Sequence, residues 1–565
     1  MTVVFAWPLP SLRFETSIYD LAIEDLPETK RYKAFKEEFG CEEVLLVVAR
    51  AEDVFSPRTF REIEELAGSL ARIQGVRRVI SLPGIRKDMD VTGDWDLEAF
   101  ARNIEPLDLF QRNLISEDRR ATVITLVLED VENKDRVVRE VEDRIQAHRD
   151  GLSLYQVGMP VVSRALAEYT EKDFQRLPPI TFVVIAGILF LFFRRIRGIL
   201  IPAGSVLIAL VWTFGLMAWT GIPLSMLTMI VPIFIIAVGT AYCMYILPAY
   251  LGAFRGNTTP REAAFSCFSQ LAFPTVLAVV TTTVGLGSLL VNRIQSIREF
   301  ALFACFGIWC MLGIILVVLP ALLSLLPAPK EPRAGIDGDQ GVLGRILAGV
   351  VRLNLTHQRW TLSAVALLSL AGLAGVLQIR VETNPVGYFK PNTEVRRHFH
   401  DIYQDMAGSF PVNLVLDSGT EDYFEDPEHL KLLEEIAPFL ESLEGVDKIL
   451  SFADYFKLVN YASNRYEQAF YALPEEGFEV RMLMNSYKTM LGQDMFERFM
   501  SADLSKANVL LRTHIASSER FLALRDAILE HLQTTLPGGM NISVTGFDLV
   551  ISQSSRLLTQ GQIKS

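Results

Sequence analysis

The chain has 565 residues, 50% of them hydrophobic and 21% charged, with a mean hydropathy of +0.28 and a formal charge of −12. That is too apolar for an ordinary soluble enzyme and too charged for a protein made only of membrane spans, so the composition predicts one part in lipid and one in water. The acidic balance argues against nucleic acid as a partner.

Residues 1–12 carry Trp7, Pro8 and Pro10 in a short apolar stretch with no basic flank. This is a poor signal peptide and reads as the remnant of a first span. Residues 13–178 then alternate strand-like and helix-like stretches. Val44–Ala49 is a β-branched run. Ser56-Pro57 opens a helix as N-cap and first residue, with Phe60, Ile63, Leu66 and Leu70 on one face and Gly75 as its stop. Strands are predicted at Val76–Leu82, Thr122–Leu128 and Leu154–Val157, and helices at Leu97–Leu114 and Lys134–His148. The order β-α-β-β-α-β fits a split β-α-β, ferredoxin-like domain.

From Thr181 to Leu326 five apolar runs follow one another, and Gly198 to Phe254 contains no Asp, Glu, Lys, Arg or His. A span needs ~20 apolar residues. The expected spans are Pro179–Phe193, reaching back into Asp173–Leu177, then Ile199–Thr220, Leu224–Leu251, Leu271–Val291 and Phe300–Leu326. Arg194, Arg195 and Arg197 follow the first span, and Arg255 and Arg261 the third. Basic residues concentrate in cytoplasmic loops, which puts the chain before Pro179, the Gly221-Ile222-Pro223 turn and the Asn292–Glu299 loop outside. Arg293 and Arg298 weaken that bias without reversing it.

Residues 329–359 are read as a cytoplasmic linker, Gly/Asp-rich at first, with an amphipathic Val342–Leu355 stretch at the interface. Residues 360–379 form a further span, with Ala371 and Gly375 spaced for close helix packing. Residues 380–565 then repeat the first polar segment. Arg13-Phe14-Glu15-Thr16 is matched by Arg380-Val381-Glu382-Thr383. Ser56-Pro57 is matched by Asp426-Pro427, and Gly75 to Ser81 by Gly445 to Ser451, these two at one spacing of 370 residues. A repeat that long means a duplicated unit of membrane block plus lobe. On that logic the chain ends where a second five-span block is expected. Of the five cysteines only Cys41 falls in a polar segment; Cys243, Cys267, Cys305 and Cys310 lie in or beside spans, so no disulfide framework is available.

This layout resembles the resistance-nodulation-division (RND) superfamily, most closely its MMPL-like, predicted-exporter branch related to Patched and the sterol-sensing-domain proteins. The resemblance is carried by Arg13 to Thr16 with Leu26-Pro27, the Gly75 to Leu82 strand, Val157-Gly158-Met159-Pro160 and Thr281-Thr282-Thr283-Val284-Gly285. It implies an inner-membrane transporter, multi-pass in the plasma membrane, in which a helical bundle carries two ferredoxin-like extracytoplasmic porter domains. It also implies export of hydrophobic or lipid-like molecules, ion-gradient coupling, membrane lipids as partners and a homo-oligomer, dimer or trimer. The family's fourth span carries Gly-x-Asp-Tyr, whose Asp relays protons. Here the matching residues are Gly239-Thr240-Ala241-Tyr242, so Ala241 stands where the carboxylate is expected.

The predicted spans offer no buried carboxylate of the kind a proton-coupled cycle needs. Thr240, Cys243, Tyr245 and Thr281, Thr282 and Thr283 remain as polar groups, either for transport or for interhelical hydrogen bonds. Asp337 to Gly341 faintly resembles a calcium loop, but Ala348 stands where its closing Glu belongs. His398 and His400 point to different faces of one helix and make a poor metal pair. There is no Gly-x-x-x-x-Gly-Lys-Ser/Thr loop and no nucleophile motif, so the chain is read as neither an ATP-driven pump nor an enzyme, with no cofactor or metal. Phe389, Tyr403, Phe410, Tyr455, Phe456, Tyr461, Phe470 and Tyr471 line a substrate path or, by default, a domain core. The alternative to a transporter is a lipid-sensing or scaffolding protein that kept the fold and lost the pump.

Overall fold

The structure, a computed structural model, describes residues 1–14, 23, 25–40, 44–90, 93–129, 134–148, 151–193, 196–254, 258–327, 342–376, 382 and 384–564. Glu15, Thr16, Cys41, Arg194, Arg195, Arg255, the 329–341 part of the linker, Arg380, Val381 and Thr383 lie outside the described residues. Contacts divide the chain into two units, Met1–Asp20 with Leu166–Arg380 and Leu21–Ala165 with Val381–Ser565.

In chain order the first part runs α1 (Thr2–Ala6), α2 (Pro27–Phe39), β1 (Val44–Arg50), α3 (Pro57–Leu70), β2 (Val76–Ile80), α4 (Leu82–Met89), α5 (Leu97–Ile104), β3 (Ala121–Leu128), α6 (Lys134–Ala147) and β4 (Ser153–Val157). The Ser56 side chain accepts from the Thr59 amide with Pro57 at the first helical position, as the sequence predicts. Three expectations need correction. Strand β2 stops at Ile80, because the Ser81 hydroxyl caps the Gly84 amide at 3.2 Å and Leu82-Pro83 open α4 instead. The 97–114 stretch is helical only to Ile104: Glu105 is its C-cap, still at helical angles (φ −61°, ψ −36°), and Pro106, which has no amide to donate, follows. Gly75 does not end α3 but turns the chain into β2 at φ +98°.

Then come α7 (Met159–Phe193), α8 (Arg197–Thr220), α9 (Val231–Gly252), α10 (Pro260–Gly287), α11 (Gln295–Gly313), α12 (Leu319–Leu325), α13 (Val342–Thr356) and α14 (Gln358–Val376). Helix α7 starts at Met159, directly after β4, with Pro178 and Pro179 inside it. The boundary read at 178/179 therefore falls within one continuous helix. Helix α10 likewise starts before Leu271, at Pro260, where Thr259 and Glu262 form a capping box. Six helical stretches among the described residues are long and apolar enough to cross a membrane: Met159–Leu191, Gly198–Thr220, Thr228–Gly252, Pro260–Val291, Gln295–Leu325 and Gln358–Val376. The amphipathic stretch after the linker is helical, and only His357 separates α13 from α14.

The last part comprises α15 (Glu394–Asp405), β5 (Phe410–Asp417), α16 (Pro427–Glu435), α17 (Ala437–Glu441), β6 (Val446–Leu450), α18 (Phe452–Ser463), α19 (Gly477–Met490), α20 (Gln493–Phe499), β7 (Lys506–Thr513), α21 (Ser518–Thr535), β8 (Asn541–Thr545) and α22 (Phe547–Lys564). The two sheets have the same order, β2-β3-β1-β4 and β6-β7-β5-β8, antiparallel throughout. The duplication reaches single residues: the ladder register shifts between Val76 and Arg78 and again between Val446 and Lys448. Gly158 and Gly546 leave β4 and β8 at φ +151° and +158°, and a Cβ on either would meet a β1 or β5 carbonyl, Val44 O at 2.7 Å or Pro411 O at 3.0 Å.

In the apolar unit, water is not what drives helix to helix, so close backbone approach must hold the packing. Gly239 on α9 and Gly307 on α11 provide it. A Cβ on Gly239 would lie 2.9 Å from Val206 Cγ2 and 3.1 Å from Met311 Sδ, and one on Gly307 would overlap Ile235 and lie 3.0 Å from Thr213 Oγ1. Helices α8, α9 and α11 thus lock around two glycines. Helix α1 packs on α8 in the same way, Phe5 lying against Gly215 and between Trp212 and Trp219. We expect Gly307→Leu to cost about 1–3 kcal/mol by overpacking, read as a lower melting temperature in detergent. Gly285→Ala, which faces open space, should leave the melt unchanged.

Candidate functional site

The fourth-span motif sits in the middle of α9, and its residues split between two faces. Gly239, Thr240 and Cys243 are buried, whereas Ala241 and Tyr245 are exposed. The Thr240 hydroxyl donates to Ile236 O at 2.7 Å within its own helix. Cys243 meets Ser205 of α8, and half-buried Tyr242 meets Thr282 of α10. Of the threonine run, Thr281 and Thr282 donate back to Ala278 O at 3.0 and 2.7 Å, while the buried Thr283 Oγ1 has no partner. The structure therefore brings Tyr242 and Thr282 together but not the run as a whole. Ser205, which sequence reasoning missed, carries only the weak signal of a hydroxyl in an apolar helix.

A second candidate lies in the other unit, in the seam between its two lobes. The contacts across that seam come in reciprocal pairs, because equivalent elements meet each other's partners. Helix α2 lies against α20, β8 and α22, while α15 lies against β4. Lys506 Nζ donates to Glu38 Oε2 at 2.5 Å, and Arg50 pairs with Asp405. Lys448 Nζ donates to Asp108 Oδ2 at 2.6 Å, and its structural equivalent Arg78 donates to Leu491 O. The partly exposed pairs contribute little singly and stabilise one register between the lobes.

At the centre of the seam stands Arg512 on β7, 8% exposed. Its guanidinium donates from Nε to Gly408 O at 3.0 Å, from Nη2 to Ala407 O at 2.9 Å and from Nη1 across the seam to Asn113 Oδ1 at 2.9 Å. Burial pulls its pKa down to about 10, opposed by the field of Asp447. Beside it a cavity of about 80 Å³ is lined from the first lobe by Val44, Leu46 and Asn113 among others, and from the second by Ser409, Tyr455, Arg498 and Arg512. Of the eight aromatics named from the sequence only Tyr455 lines it. Phe389, Phe410, Phe456 and Tyr461 are buried in the core, and Phe470 is exposed. His398 and His400 do part to different faces. His398 stacks on Tyr155 of β4 with ring centroids 4.5 Å apart, and His400 is exposed.

A block of long apolar helices joined to two matching α+β lobes defines a polytopic membrane protein. The sequence profile of the MMPL family matches residues 27–366, more than half of the chain, and the chain belongs to the MMPL family, as its resemblance to RND-type proteins implied. It is 23% identical over 342 residues to "Putative membrane protein MJ1562" of Methanocaldococcus jannaschii, a match covering 58% of this chain and 88% of that protein. It is 22% identical over 219 residues to a protein of like description, YdgH of Bacillus subtilis, covering 38% of this chain and 24% of that one.

Two outcomes follow from the seam. Arg512→Met leaves four oxygen atoms, Gly408 O, Ala407 O, Asn113 O and Asn113 Oδ1, without their donor, and at ~1–3 kcal/mol for a buried orphan we expect a large drop in melting temperature by differential scanning fluorimetry, larger than for Arg58→Gln on the exposed face of α3. His398 has its pKa lowered by burial, against the raising fields of Glu394, Asp401 and Glu142, with Arg397 lowering it further. The folded lobes therefore bind fewer protons there than the unfolded chain does. The stability this contact gives is complete above the ordinary value of 6.5 and declines as pH falls below it. His398→Gln should flatten the melting temperature between about pH 7 and pH 5.

Proposed function

We propose that the protein is an RND-type transporter of the inner membrane that exports hydrophobic or lipid-like molecules. In this reading residues 13–178 and 380–565 are two ferredoxin-like porter domains on the extracytoplasmic side, 179–328 and 360–379 are the spans, and 329–359 is a cytoplasmic linker with an interfacial helix. The observation that carries it is the duplication itself: two lobes of one topology, closed on each other by reciprocal contacts, each leading into a helix. In this reading the register that the seam contacts fix is one state of the pair, and passing a substrate between the lobes requires its exchange for another. The apolar spans and membership of the MMPL family support the same reading.

A second reading, a lipid sensor or scaffold that no longer pumps, is favoured by one position. Ala241 lies on the exposed side of α9, and that helix carries no carboxylate in its place.

Reconstitution into vesicles with labelled lipids separates the two. Transfer that responds to an imposed ion gradient supports the transporter, and transfer of no lipid in a broad panel under any gradient supports the sensor. If the coupling carboxylate has been lost from this half, Ala241→Asp should make transfer depend on a proton gradient by severalfold; an unchanged rate would mean that coupling does not run through α9.

A further inference from the structure

We infer that the cavity in the seam between the lobes is a binding site for a small oxyanion group, a phosphate or a carboxylate. This goes beyond the transport reading and does not depend on it, since a sensor and a transporter would hold such a group alike.

The shape of the site comes from the duplication. Equal ladder positions make Val44 and Pro411, Thr125 and Leu510, and Val127 and Arg512 structural equivalents. The isolated bridges Ile115 to Thr122 and Met500 to Ala507 do the same for Asn113 and Arg498, each two residues earlier. The cavity thus lies on the pseudo-two-fold axis, walled by paired positions. Its apolar wall is shared, with Val44 and Leu46 from one lobe and Leu450, Phe499 and Leu510 from the other. Its charge is not shared. The second lobe alone contributes guanidinium groups, Arg498 where the first has Asn113 and Arg512 where the first has Val127.

At Arg512 the charge meets no carboxylate among the described residues. Arg512 makes its hydrogen bonds to the neutral oxygen atoms of Ala407, Gly408 and Asn113. The acid whose field reaches it, Asp447, is already engaged, accepting from the Gly408 amide at 3.0 Å and bonding His514 Nδ1 at 2.8 Å. A buried cation without a carboxylate partner is costly, and an anion in the adjoining cavity would relieve it. Independently, Ser409 lines the cavity at 8% exposure, with its Oγ beside the Tyr403 hydroxyl. Its hydroxyl is a donor beside the cavity. One water needs ~10–15 Å³ measured this way, so about 80 Å³ holds roughly five to eight atoms of that size, enough for phosphate or for a carboxylate with a short apolar tail.

The test uses the full chain, purified in an uncharged detergent and a low-salt, phosphate-free buffer, with binding read by calorimetry. The probes are inorganic phosphate, butyrate, dihexanoyl phosphatidic acid and the uncharged dihexanoyl glycerol. Saturable binding of phosphate or butyrate assigns the site to free anions; saturable binding of phosphatidic acid alone assigns it to a lipid headgroup. In either case Arg498→Gln should weaken binding at least tenfold and Ser409→Ala severalfold. The surface control Arg58→Gln should leave it unchanged, and matched circular dichroism spectra of the variants would show that the lobes still fold. No saturable binding of any anion, equal binding of dihexanoyl glycerol, or equal affinity in Arg498→Gln would overturn the assignment.

Discussion

Arg512 sets the terms on which the two lobes can meet. A guanidinium that is almost wholly buried must find acceptors for its five donors or destabilise the fold, and one of its acceptors, Asn113, belongs to the other lobe. Its own lobe supplies Ala407 and Gly408, held in place because Gly408 leaves room for the Thr513 carbonyl to pass where a side chain would collide. The loop before β5 is tied across the seam as well, the Ala407 amide donating to Arg112 O at 2.7 Å. These contacts are satisfied together at one register of the seam. The outer ion pairs, Lys506 with Glu38 and Arg50 with Asp405, sit at the rim and stabilise the same register without being able to choose it.

The apolar unit solves a different problem. Its backbone must satisfy its own hydrogen bonds, which makes every span a helix, and helix then meets helix through whatever lets the main chains approach. Gly239, Gly307 and Gly215 do this, while Gly285 and Gly313 face open space and carry no such duty. Between α11 and α12 the chain passes through five residues of π-helix, Ile314–Val318, just before Pro320. Proline cannot donate to the turn before it, and the wider turn accommodates that loss.

How much of this was legible depended on the kind of signal. Local signals held: Ser56-Pro57, the β-branched strands and the charge-free run all became the elements they predicted, since caps, β-branching and span length act within a few residues. The duplication was legible too, because Gly75 and Gly445 hold positive φ angles that few other residues tolerate. Helix starts in apolar stretches were not. Nothing in the composition tells Met159 from the Asp173–Leu177 stretch as the start of α7, and Pro178 and Pro179 are accommodated inside the helix. The seam was illegible for a further reason. Arg512 sits near the end of a strand, where an arginine reads as solvent-facing, and the other lobe's Asn113 meets it there. Aromatic content pointed to eight candidates for a substrate path, but aromatics fill cores by default, and only Tyr455 reaches the cavity.

Duplication also tells packing apart from function. Where two copies of one topology meet about an axis, each position has a counterpart under nearly the same steric demands, so what both copies keep is what the fold requires. Gly158 and Gly546, the matched register shifts and the Gly75 and Gly445 turns are of that kind. What only one copy carries is not a demand of the shared topology. Arg498 and Arg512 break the symmetry of the seam at the cavity, while Arg78 and Lys448, both cationic, preserve it at the rim. Ala241 belongs to the first group of spans and its counterpart to none described, so the spans allow no such comparison. The lobes do, and the departures from symmetry that line the cavity concentrate on positive charge.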